Sequence, residues 1–221
     1  NYYGVALCVK TKLVKNGTVS EPNCHNDRIM TITINQNKSK AVLVNCYAPT
    51  LVSNTESLDT FYEDLRKVIE EIPKSYDLIL AGDFNARVGS DHERWRGTLG
   101  PHGIGKINQS GQRLLELAVQ YNLRINNTFF QLKNHYKTTW QHPRSKSWHT
   151  IDYIMTRKSN RSQMLRCKVM RGAECETDHK MIRATIKLKL NPKRSKRTNK
   201  MVYDSSKLGS EEVRNTFYDK K

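Results

Sequence analysis

Residues 78–89 read LILAGDFNARVG, from Leu78 to Gly89. Three large apolar residues lead into Ala81-Gly82, and Asp83, Phe84 and Asn85 then stand where a strand should be turning. The run from Asp77 to Gly82 is apolar on both faces, which predicts a central, buried strand. A carboxylate and an amide two apart at its mouth admit two readings. Asp, Asn and Gly favour turns through local hydrogen bonds. The same side chains are also able to hold a phosphate and its attacking water, and the rest of the chain must decide.

Around this strand the pattern is strand-rich with few helices. Val5–Lys10, Ile29–Ile34 and Ala41–Tyr47 are short β-branched or aromatic runs that read as strands, with 35–40 (NQNKSK) as a hairpin turn. Leu58, Phe61, Leu65, Val68, Ile69 and Ile72 recur at helical spacing and predict a helix over Ser53–Ile72. Ser53 and Glu56 have the spacing of a capping box, and Pro73 follows the last periodic residue. A second helix is expected over Gln109–Tyr121, with Leu114, Leu115, Ala118 and Tyr121 inward and Asn122 as its stop. Leu123–Asn127, Ile151–Thr156, Met164–Met170 and Met181–Leu190 read as further strands. Strand–helix–strand units mixed with hairpins predict an α/β fold: a four-layered sandwich of two packed mixed sheets flanked by helices. Composition turns to unpatterned charge after Leu190, so residues 1–190 read as the domain and 191–221 as a basic linker. A short helix over Ser210–Tyr218 would fit within it.

The net charge of the 221 residues is +17, with 38 Lys and Arg against 21 acids. Excess charge of this size points to a polyanionic partner and says nothing of fold. It is concentrated: Lys133–Arg171 holds ten basic residues and a single acid, Asp152, whereas Ser53–Glu93 holds ten acids and four basic residues. No apolar run approaches the length of a membrane span. Five Cys form no CxxC pair, which argues against a zinc ribbon and for a reducing compartment, nuclear or cytoplasmic and not secreted.

Three other strand ends share the oddity of the first. Asn45-Cys46-Tyr47-Ala48-Pro49 closes a strand with a Tyr, Asp152 sits inside the apolar TIDYIM, and Thr177-Asp178-His179 precedes the last strand. Each alone has an ordinary explanation as a turn or cap. An Asp buried in a strand, however, costs several kcal/mol unless it is paired, and His179 is its evident partner. Asp91-His92-Glu93 is a further acidic cluster, but its polar setting reads as a solvated turn.

The ordered set Y-x-P, GDFN, TTWxxP, IDYI and TDHK resembles the endonuclease/exonuclease/phosphatase superfamily, the fold of DNase I. It is closest to the endonuclease domains of non-LTR, LINE-type retrotransposons and the craniofacial development protein 2-like proteins derived from them. The resemblance covers roughly residues 1–190 and implies a divalent-metal-dependent endonuclease that nicks target DNA, using Mg²⁺ or, alternatively, Mn²⁺. It implies that Tyr47 contacts the scissile phosphate, Asp83 positions or deprotonates the water, and Asn85 holds a phosphate oxygen. Asp152 would orient His179, and Asp178 would help bind the metal. Asn108 and Thr139 would face the DNA, Thr139 near a distorted nucleotide. Arg144, Lys146 and Trp148 would lie in a loop pressed into a groove.

Two departures are visible. Thr177 stands where Ser is usual. The family's opening strand and its Gln-Glu-Thr motif, whose Glu is the principal metal ligand, would precede Gly4 and are not in this sequence; Glu21 is a poor substitute. The expectation is therefore an N-terminally truncated domain, impaired in cutting and acting as a monomer, with a reverse-transcriptase domain in the same polypeptide as its candidate partner. Two other readings stay open: a non-catalytic nucleic-acid-binding remnant, and a phosphatase or phosphodiesterase of the same superfamily.

Overall fold

Alternation and helical spacing along the chain become a layered α/β arrangement in the computed structural model, which describes residues 4–35, 40–50, 52–173 and 177–188. In chain order the elements are α1 (Thr11–Lys15), β1 (Asn23–Cys24), β2 (Ile29–Asn35), β3 (Lys40–Tyr47), α2 (Thr55–Glu71), β4 (Asp77–Asp83), α3 (Gln109–Gln120), β5 (Leu123–Ile125), β6 (Trp140–Gln141), β7 (Trp148–His149), β8 (Asp152–Arg157), β9 (Met164–Val169) and β10 (Ile182–Ile186). Single 3-10 turns cover Asn126–Phe129, Asn134–Tyr136 and Lys158–Gln163. Six strands form one mixed sheet in the order β1-β2-β3-β4-β8-β5; β9 and β10 form a smaller antiparallel sheet, and β6 and β7 a two-residue ribbon. The second sheet is thus a strand pair among the described residues.

The parallel β3–β4 pair is reached by the crossover helix α2, as parallel pairing requires. Phe61, Tyr62, Leu65, Val68 and Ile69 of α2 join Leu114, Leu115, Leu117 and Ala118 of α3 and the sheet residues Val42, Val44, Leu78 and Leu80 in one buried cluster. β4 is central, and its apolar residues Leu78, Ile79 and Leu80 are all buried, as its composition predicts. Tyr121 is only partly buried against this core, while Leu117 completes the inward face.

Several boundaries differ from the sequence reading. Val5, Leu7 and Val9 do alternate as half-buried positions with exposed neighbours, yet no described strand pairs with 5–10, so the segment is not a strand and α1 follows it unpredicted. The capping box at Ser53 is replaced by an Asn54 cap: its side chain accepts from the Ser57 N–H at 2.9 Å, because the helix begins one residue later. Ile72 ends α2 in extended backbone, the conformation that a following proline imposes. Asn122, at φ 53°, stops α3 in the left-handed region as expected of Asn after a helix. Residues after Ile125 coil into a 3-10 turn instead of continuing β5. The 36–39 turn, the end of the expected last strand at 189–190, the 191–221 linker and the Ser210–Tyr218 helix lie outside the described residues.

Candidate active site

Sheet register builds the site. Tyr47 at the end of β3 is the Cα partner of Asp83 at the end of β4, and Asp83 is the partner of Asp152 at the start of β8. Three functional side-chain positions from distant sequence therefore stand in a row at one end of the sheet. Gly82 is what lets the row close up: a Cβ there would lie 1.9 Å from the Cys46 carbonyl oxygen of β3, so any other residue would push the strands apart.

Past Asp83 the chain turns as an Asx turn. The Asp83 Oδ1 accepts from the Asn85 N–H at 2.8 Å, with Asn85 at φ 46°. The Asn85 amide donates to the Ala48 carbonyl at 2.9 Å, tying the β4 loop to the end of β3. The turn reading and the site reading of this stretch are both correct. Below it Tyr153, fully buried, donates to the Thr150 carbonyl (2.7 Å) and reaches the Ala86 carbonyl (3.2 Å) and the Val88 N–H (3.4 Å). Its ring packs on Phe84. One phenol thus fixes the loop after Asp83 to the approach to Asp152.

His179 arrives from the other side. A bridge to Trp140, and the Lys180 N–H donated to the Thr139 carbonyl at 2.6 Å, set its position. Its Nδ1 lies 3.1 Å from one Asp152 oxygen and 3.3 Å from the other, and its Nε2 is 3.9 Å from Asp83 Oδ2. The hydrogen bond to Asp152 raises the His179 titration against the opposing effect of burial. Burial, then the neighbouring Asp152 charge, pushes Asp83 up to about 6, although the Asn85 N–H and His179 oppose the rise. Asp83, Asp152 and His179 each offer a ligand atom, all within 4.8 Å of one another, a set able to hold a metal ion.

These groups open into a cleft of about 890 Å³ that also exposes Tyr47, Asn85, Asn108, Asp178 and His149. Asp178 accepts from the Trp140 indole N–H at 2.7 Å. Asn108 caps α3 and accepts from the Gly111 (2.8 Å) and Arg87 (2.9 Å) N–H groups, and its Nδ2 is buried with no partner among the described residues. Arg144 and Lys146 stand exposed on the β6–β7 turn, where Lys146 has φ 57°. One expectation needs correction, and another residue stands elsewhere than beside the cleft. Thr139 is fully buried and its hydroxyl accepts from the Ile151 N–H at 3.1 Å, so it braces the start of β8 and offers no surface to DNA. Trp148 points away from the cleft: its cross-strand register with Gln141 puts it on the other face of the ribbon from Trp140 and His149.

Trp140 and His149 are the site residues that sequence reasoning missed. His149 lines the cleft and is held towards its neutral form by burial, then by the nearby Arg87 and His142 charges. The signal for Trp140 lies in TTWQHP, where the motif draws attention to its neighbour Thr139.

The sequence profile described as endonuclease–reverse transcriptase matches residues 41–183, a span containing every residue of the row and His179. The chain belongs to that family. Its members are of the endonuclease/exonuclease/phosphatase type, a superfamily of nucleases and phosphatases. The chain is 36% identical over 187 residues to craniofacial development protein 2 of Bos taurus, covering 85% of this chain and 31% of that protein. It is 35% identical to the protein of the same name from Tragulus javanicus over 85% of this chain and 32% of that one. The chain thus spans about a third of the length of the curated relatives it matches. Among solved structures it resembles the endonuclease domain of TRAS1, a telomere-specific non-LTR retrotransposon (TM-score 0.54, 16% identity, 74% of this chain and 65% of that one). A 3′-5′ exonuclease from Neisseria meningitidis is similar to the same degree (TM-score 0.54, 18% identity, 76% and 71%). At these identities the likeness is one of fold, and it agrees with the α/β class expected. Among the described residues no helix is long and apolar enough to cross a membrane.

Proposed function

We propose that this family member is a divalent-metal-dependent DNA endonuclease that nicks one strand by hydrolysis. The observation that carries the reading is the register-enforced row of Tyr47, Asp83 and Asp152 with His179 set between the two carboxylates. Asp83 takes a proton from the attacking water, whose oxygen bonds to phosphorus as the bond to the leaving oxygen breaks. Asp152 holds Nδ1 of His179, so Nε2 faces the cleft and balances charge on the phosphate. Tyr47, Asn85 and Asn108 line the cleft and are the polar groups that would meet phosphate oxygens.

The residues fit a hard divalent cation. Carboxylate oxygens are the donors Mg²⁺ and Mn²⁺ take, and Asp83, Asp152 and His179 bring ligand atoms within 4.8 Å of one another. Asp83 and Asp178 are the carboxylates that would hold it. When bound, the cation neutralises the phosphate and stabilises the leaving oxygen. Arg144 and Lys146, on the turn beside the cleft, supply phosphate contacts, and affinity should fall linearly with log salt at about −0.9 per phosphate neutralised. The same reading has the chain act as a monomer, and the family description suits work beside a reverse transcriptase.

Nicking of supercoiled plasmid tests this. Open circles should form with Mg²⁺ or Mn²⁺, stop with EDTA, and fail to form with Asp83→Asn or His179→Ala. Cutting that persists in EDTA, or in either variant at the wild-type rate, overturns the assignment. Phosphate release from small esters without nicking would make the chain a phosphatase instead.

A further inference from the structure

On the far face of the β6–β7 ribbon from the cleft lies a second depression of about 630 Å³, bounded by Trp148, Arg171, His135, Asn134 and Thr138. The ribbon separates the two sites because residues paired across it share a face: Trp140 with His149 towards the cleft, Gln141 with Trp148 away from it. The Arg171 guanidinium stands 4.2 Å over the Trp148 ring, and Lys168 stands 5.5 Å over the ring of Tyr136. Both aromatic residues are 37% exposed, although large aromatic side chains gain by burial. His135 lines the depression and meets the Tyr136 ring in a tilted contact with centroids 4.1 Å apart, which places the Tyr136–Lys168 pair beside it.

Arg171 is held in place. Its Nε donates to the His135 carbonyl and its Nη2 to the Thr138 hydroxyl at 2.6 Å. Among the described residues no carboxylate pairs with Arg171 or Lys168. Partial burial lowers the titration of Arg171 and of nearby Lys137, so cationic charge is kept here at a cost that no described anion offsets. Exposed aromatic residues beside a fixed cation that has no carboxylate partner among the described residues match a ligand with both a flat base and a phosphate. A duplex hides its base faces in the stack. An acidic peptide would engage the cations and leave the rings unused.

We propose that Trp148 and Arg171, with Tyr136 and Lys168 beside them, bind unpaired nucleotides of single-stranded DNA next to the catalytic cleft. The proposal rests on the reading of the chain as a DNA endonuclease. It adds that the substrate class is DNA with an unpaired flank, the base stacking on the rings and its phosphate meeting Arg171.

Binding without cutting separates the two claims. Anisotropy of a fluorescent 12-nucleotide oligo-dT and of a blunt hairpin duplex is measured in EDTA with the full chain. Arg171→Ala should weaken oligo-dT binding about 10-fold, on the order of one stacked or charge-paired nucleotide, and change hairpin binding less than twofold. Tyr136→Ala should weaken oligo-dT similarly, and it tests the surface from a position off the ribbon if Trp148→Ala unfolds. Trp148→Phe should keep most of the affinity. The measurements are made in EDTA, where metal-dependent cutting does not occur, so loss of nicking and loss of this site are read independently. Wild-type oligo-dT binding by both Arg171→Ala and Tyr136→Ala overturns the proposal. Equal losses on oligo-dT and hairpin, tighter binding of oligo-rU than oligo-dT, or equal competition by poly-Glu overturn it as well.

Discussion

Two clusters in this molecule contain two acids and a histidine, and they have little else in common. Asp91, His92 and Glu93 are consecutive, and they settle their charges locally. Asp91 accepts from the Arg94 N–H at 3.2 Å, while Glu93 meets both His92 (3.2 Å) and Arg96 (2.7 Å) with its side chain 65% exposed. Asp83, Asp152 and His179 are far apart in sequence and are pressed together by strand register, with the two carboxylates only 17% and 21% exposed. Neighbours in a loop can turn outward or towards a counter-charge. Residues anchored at adjacent strand ends cannot, so the imbalance stays in the site, where Asp83 is pushed up to about 6. Residue types that look equivalent in a list therefore differ in what they can do.

The comparison breaks most visibly in catalysis. His179→Ala or Asp83→Asn should lower metal-dependent nicking by ~10²–10⁴-fold, the range for positioned acid–base groups. Asp91→Asn with Glu93→Gln should leave it within twofold. If the loop variant lost as much as the strand-end variants, the distinction drawn from register would be wrong.

A pH series on metal-free protein sharpens the electrostatic half. Burial and Asp152 raise Asp83 in the folded state from 3.8 to about 6. A raised carboxyl contributes stability that is complete below its unfolded value and lost as pH rises through the folded one, here between about 4 and 6. At pH 8 in EDTA, Asp83→Asn should therefore melt higher than wild type, by about 5 °C for a domain of this size, and the gap should close on acidification to pH 4. A gap independent of pH would mean that the trapped charge is not its source. Mg²⁺ should raise the melting point of wild type more than that of the variant.

Smaller effects test what holds the row in place. Tyr153→Phe removes the hydroxyl that joins the loop after Asp83 to the Thr150 carbonyl, leaving buried carbonyls short of a donor. It should cost about 1–2 kcal/mol in urea unfolding, with a modest loss of nicking. The smallest effect belongs to Trp140→Phe. Asp178 is exposed and stays hydrated without the indole N–H, so nicking should fall only a few-fold, as a higher metal requirement rather than a lower maximal rate. An unchanged metal requirement would remove Trp140 from the site.

Much of the molecule was legible in the linear chain wherever a segment carries its own reason. The apolar run at 77–82 is a central strand, the periodic residues of α2 and α3 are buried, and Asn122 stops its helix. Each depends on local periodicity or on one residue's backbone preference. The pairing of Asp152 with His179 was also readable, because a strand that buries an acid needs a partner for it. Tertiary structure alone decided the rest. Alternation at Val5, Leu7 and Val9 could not disclose whether a neighbouring strand would supply a ladder, and none of the described strands does. Thr139 and Trp148, nine residues apart and both expected at the DNA, end in opposite conditions: one sealed in the interior against Ile151, the other exposed behind the ribbon under Arg171. Successive side chains on a strand point to opposite faces, so a shift of one residue in register reverses which of them meets the cleft. Register is fixed by the partner strand, and the partner lies elsewhere in the chain.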